Sequence, residues 1–189
     1  PVQEFIASAR RTRDLHFGSW FLSELSRAAA RKIYEINASK EDLIFPAPED
    51  ATWLEPNHPF NVANRILAII DQTPEAVAAE VRTAVNQRLY TIRDQAYKDI
   101  ALFGDQKTIA YKQIESLIEF VWVALPLPDE QDYHRVRNQL ESLLAARKNT
   151  YAFQPVEWGA DIPKSSLDGQ LVSVIPEKEY PAQNASASE

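Results

Sequence analysis

Three arginines, Arg10, Arg11 and Arg13, stand with Asp14 and His16 in the nine residues 10–18, which end on Gly18 and are followed by Ser19. Guanidinium groups present paired N–H donors that match phosphate oxygens, so clustered arginines point to an anionic ligand. Ser19 can cap a helix, and the backbone N–H groups at a helix start favour the same charge. Phosphate binding is the chemistry this stretch could do. Two helical pieces would position it. Val2, Phe5, Ile6 and Ala9 lie three or four apart, as do Leu22, Leu25, Ala29 and Ile33, and the polar stretch between them breaks the pattern. Gly18 can supply the positive-φ residue of an elbow. The alternative is a solvated kink between two core helices, and the residues alone leave both readings open.

The totals narrow the rest. With 189 residues, 45% apolar and 25% charged, the chain can build one domain with a real core. A net charge of −7 disfavours the whole chain as a nucleic-acid binder, though not a local basic patch. Cysteine is absent, which excludes disulfides and thiolate zinc sites. His16, His58 and His134 are too scattered for a metal-ligand spacing. No apolar run approaches a membrane span and the first residues do not form a signal peptide, so a cytoplasmic protein without membrane contact is expected. Methionine is absent even at position 1, which fits initiator removal or a chain that begins partway into a larger protein.

The remaining elements alternate in type. Residues 43–45 are strand formers stopped by Pro46 and Pro48, which cannot donate to a ladder. Residues 49–60 form a loop, and 65–71 (RILAIID) read as an interior strand covered on both faces. Thr73 and Pro74 open a helix with Val77, Val81, Val85, Leu89, Ile92, Ala96 and Ile100 inward, ended by Gly104 and Asp105. A short helix follows at 108–118, with Ile109, Ile114, Leu117 and Ile118 inward. Residues 120–127 (FVWVALPL) predict a third strand. Residues 129–146 predict a helix with the stripe Tyr133, Val136, Leu140, Leu143 and Leu144. Asp168-Gly169 is a turn dipeptide inside a hairpin or extended arm at 154–175, and 176–189 read as a flexible tail or linker.

The opening PVQEFIASARRTRDLHFGSWFLSELSRAAA resembles the start of the first palm domain in the large, polymerase/cyclase-like subunit of type III-B CRISPR–Cas (Cmr) effector complexes. The likeness resumes at 63–68 (ANRILA), at 122–127, at 146–150 (ARKNT) and at 163–169 (PKSSLDG). It implies an α+β fold: a ferredoxin-like, nucleotidyl cyclase-like palm with extra helices over 1–153. The first palm strand should precede residue 1, so the strands at 65–71 and 120–127 should flank a gap filled by other polypeptide.

The resemblance also implies a role. The parent subunit uses ATP and divalent Mg or Mn to make cyclic oligoadenylate, with metal-binding carboxylates in a Gly-Gly-Asp-Asp motif on a second palm. This chain has four glycines, none adjacent, and no His-Asp dipeptide, so it should not catalyse alone. A first palm supplies pocket walls. Carried over in this way, Arg10, Arg13, Gly18, Ser19, Asn64, Arg65, Lys164, Ser165 and Ser166 are the nucleotide-site residues, with no catalytic or metal-binding residue among them. Each also has a structural reading: solvated charge, strand cap or ordinary turn chemistry. Arg147 and Lys148 suit a helix C-terminus equally well. Expected partners are the second palm, other Cmr subunits and, indirectly, guide and target RNA. Two rivals stand beside this reading, a pure scaffold in the same complex and a stand-alone RNA-binding module. The second needs outward aromatics on the middle strands, which RILAIID lacks.

Overall fold

The computed structural model describes residues 11–37, 39–98, 104–150, 171, 172 and 174. Its first helix, α1, spans Thr12–Ile36 without a break. The Asp14 carboxylate accepts a hydrogen bond from the Arg11 backbone N–H at 3.0 Å, capping the helix inside the basic stretch. The expected elbow is therefore absent. Gly18, the expected positive-φ residue of that elbow, instead stands three residues before Phe21 on the buried side of the helix. A helical glycine costs about 1 kcal/mol relative to alanine, an amount tertiary packing readily offsets.

Helix α2 spans Pro74–Ala96 and buries Val77, Val81, Val85, Leu89 and Ile92, as the spacing predicts. These side chains meet Phe21, Leu25 and Ala29 of α1 in the main core cluster. The helix ends at Ala96, which is exposed, well before Gly104. Gly104, with φ of 52°, instead starts the next helix, α3, Gly104–Glu115. Ile109, Ile114, Leu117 and Ile118 are half-buried there, while Ala110 and Gln113 go fully inward.

The sheet is small. Strand β1, Leu43–Phe45, pairs antiparallel with β2, Leu67–Ala68, and an irregularity separates the two registered pairs. A second core cluster of Ala30, Leu43, Leu54 and Val62 lies beneath it. Only two residues of the expected interior strand at 65–71 join a ladder, because the available partner is stopped after three residues by Pro46. Residues 119–128 are mostly half-buried and belong to no helix or strand, and no ladder includes them among the described residues. Pro126 and Pro128 have no N–H to offer one.

A short turn, Glu130–Asp132, leads into helix α4, Tyr133–Asn149. Of its predicted stripe only Val136 is buried, and Leu143 is 42% exposed. The architecture is thus α+β, with four helices and a two-stranded antiparallel sheet among the described residues. The hairpin or arm at 154–175 and the tail at 176–189 fall almost wholly outside them. No helix among the described residues is long and apolar enough to cross a membrane.

Candidate functional site

The basic start of α1 presents charge and apolar surface together. Arg13 projects with its side chain 78% exposed, 3.7 Å from Asp14. Leu15, Phe17 and Trp20 follow at 44%, 50% and 37% exposure. Phe17 packs on both Trp20 and Phe21, with ring centroids 5.7 and 5.8 Å apart. Ser19 is exposed in the helix interior, so its backbone N–H lies within the helical ladder and caps nothing. Asn64 and Arg65 are exposed, and Arg65 meets Glu141 of α4 at 3.6 Å. No hydrogen bond or ion pair joins Arg13, Ser19, Asn64 and Arg65 to one another among the described residues. Arg10, Lys164, Ser165 and Ser166 lie outside those residues.

A second polar centre escaped the sequence reading. Glu24 of α1 is 1% exposed and Arg27, one turn on, is 3% exposed. The Glu24 carboxylate pairs with Arg27 Nη1 and receives Arg88 of α2 through Nε at 3.0 Å and through Nη2. It also accepts the Asn57 backbone N–H at 3.1 Å on each oxygen. Asn57 sits at φ of 65°, a left-handed conformation that asparagine tolerates, and its side-chain oxygen accepts from Arg88 Nη2 at 3.0 Å.

Arg27 Nη2 donates to the carbonyls of His58, at 2.6 Å, and Phe60. Ser23 Oγ accepts the Val62 N–H at 2.9 Å. Trp53 stacks on His58 and tilts against Phe60, with centroids 6.0 and 5.0 Å away. Polar side chains of α1 thus tie the loop 50–62 to both long helices. Burial lowers the proton affinity of both guanidiniums, and repulsion from Arg88 lowers that of Arg27 further.

Two clefts flank these elements. One, of about 420 Å³, lies between α1 and α2 and is lined by Arg27, Arg31, Lys32, Glu35 and Arg88 together with apolar Leu54 and Pro56. The other, of about 820 Å³, is lined by Arg82 of α2, by residues 118–121 and by Arg147 and Lys148 of α4. Arg82 lies over the Phe120 ring at 5.4 Å and Arg147 over Trp122 at 5.3 Å. Trp122 is thus covered by a guanidinium on one face, as suits a packing role more than a base platform.

The described residues define a class: an α+β domain on a packed helix pair with basic clefts, in which no group of three His, Asp or Glu could hold a metal. Residues 1–94 match the family model described as CRISPR-associated protein Cmr2, N-terminal. Over that stretch the chain belongs to this family, as the N-terminal region of the large subunit of a type III-B CRISPR effector complex. Neither the curated proteins nor the solved structures gave a match.

Proposed function

We propose that this chain is the non-catalytic palm half of its subunit, forming one wall of the ATP pocket used for cyclic oligoadenylate synthesis and contacting neighbouring subunits. In this reading residues 65–71 and 119–128 belong to a palm sheet completed by other polypeptide. The metals and the reacting carboxylates belong to the second palm, and this chain positions nucleotide rather than transforming it. Family membership over residues 1–94 supports the setting.

The observation that carries the proposal is the set of exposed side chains over residues 13–20 of α1. Arg13 and the exposed apolar side chains of Leu15, Phe17 and Trp20 share that short stretch. Such a mixture suits a surface that packs on a second domain while facing an anion at its edge. In the assembled subunit, Arg13→Glu is expected to weaken ATP binding at least tenfold, measured by equilibrium titration, with the second palm still docked. Unchanged ATP affinity would favour the scaffold reading. That reading has one observation of its own: α1 runs uninterrupted through Ser19, which removes the helix start first assigned to phosphate.

A further inference from the structure

The surplus of positive charge in the α1–α2 cleft is not explained by the ATP-pocket reading. At its base two guanidiniums, Arg27 and Arg88, share a single buried carboxylate, Glu24. At its rim two more cations, Arg31 and Lys32, share Glu35, at 2.9 and 3.2 Å. Four cations thus face two carboxylates. Neutral oxygens from His58, Phe60 and Asn57 take up part of the inner excess.

They do not take up all of it. Arg27 lines the cleft, is 3% exposed, and among the described residues its Nε has no hydrogen-bond partner. Enclosed as it is, this N–H cannot itself reach a ligand, but it leaves the Arg27 charge incompletely compensated, and that charge adds to the field an anion in the cleft would meet. The walls add Thr91 and Gln87 as neutral polar groups and Leu54 and Pro56 as an apolar side. About 420 Å³ is within the range of small-ligand pockets.

We propose that this cleft binds the phosphate or pyrophosphate group of a small molecule, with Arg31 and Lys32 as the outer clamp and the Arg27–Arg88 pair as the inner field. The site is separate from the basic start of α1. At 1.5 Å rise per residue, Arg31 lies about 27 Å along the helix from Arg13. Failure of one assignment therefore leaves the other standing.

The test uses the full 189-residue chain and two probes, inorganic phosphate and pyrophosphate, at ionic strength held constant with chloride. A saturable rise in melting temperature with either probe, together with heat of binding in titration calorimetry, is the expected result. Arg31 and Lys32 are at the surface, so the Arg31→Gln/Lys32→Gln variant is expected to fold normally and to lose at least tenfold in affinity. Lys112→Gln, on the exposed side of α3, should bind like the parent chain. Tighter binding of pyrophosphate than of phosphate would indicate a diphosphate ligand, and the reverse a monophosphate one. Absence of a saturable shift, or an equal shift in the double variant, overturns the proposal.

Discussion

The α1–α2 half and the segment 104–150 use their side chains in opposite ways. In the first, three α1 residues and five α2 residues close an apolar core, and a buried carboxylate with two arginines fastens a long loop over it. In the second, α4 buries one side chain, Leu143 stays 42% exposed, and 119–128 is mostly half-buried and in no ladder among the described residues. Burial contributes roughly 25 cal/mol per Å² of apolar surface, so most of the stability should reside in the first half. Contact with more protein has most to add in the second.

The largest effect should come from breaking the buried charge network. Glu24→Gln leaves Arg27 and Arg88 desolvated with no counter-charge, and is expected to cost about 3–5 kcal/mol in urea denaturation. A cost below about 1 kcal/mol would mean that water reaches the network and that the two halves are closer in kind than their burial indicates. Next is Leu89→Ala, at 2% exposure in the main core, for which about 2–5 kcal/mol is expected. Leu143→Ala on α4 should cost less than about 0.5 kcal/mol. Near-equal costs for the two leucines would erase the contrast.

The same contrast separates what the sequence disclosed from what it hid. The α2 stripe was legible because Val77, Val81, Val85, Leu89 and Ile92 are all apolar and repeat at helical spacing. The network was not, because Ser23, Glu24 and Arg27 look like a solvent face until residues 57–62 and 88, far along the chain, satisfy them. Glycine misled at position 18, where a small residue inside a helix has the same letter as a break. The α4 stripe has the right spacing and little cover, since periodicity reports which face would be buried but not what lies against it. Of the nucleotide-site residues, Ser19 lies inside a helix and so has no capping role, a continuity that its neighbours in sequence did not disclose.

Ser19→Ala tests that last point at smaller scale. A residue capping a helix costs about 1 kcal/mol when truncated to alanine. An exposed serine in mid-helix should change stability by less than about 0.5 kcal/mol, and alanine's better helix propensity can make the change favourable. Thermal unfolding distinguishes the two. A loss of a full kilocalorie would restore the elbow and move the start of the ordered half of α1 past residue 18.

The smallest effect belongs to Glu35 at the rim of the α1–α2 cleft. Hydrogen bonding from Arg31 is the main cause holding its carboxyl below the ordinary range; burial opposes this and Lys32 adds to it. A depressed folded pKa means that the pair's stabilisation is fully present above the unfolded-state value and is lost as pH falls through the folded one. Glu35 is 46% exposed, so solvent screens the interaction and Glu35→Gln should cost only about 0.3–0.5 kcal/mol at neutral pH. The difference from the parent chain should vanish in acid and shrink in molar salt. Phosphate should reverse the order: with Glu35 neutralised, Arg31 and Lys32 are freed for an added anion, and the variant should bind it more tightly than the parent chain. A variant that loses stability but gains no phosphate affinity would confine Arg31 and Lys32 to holding the helix and count against their role as the outer clamp.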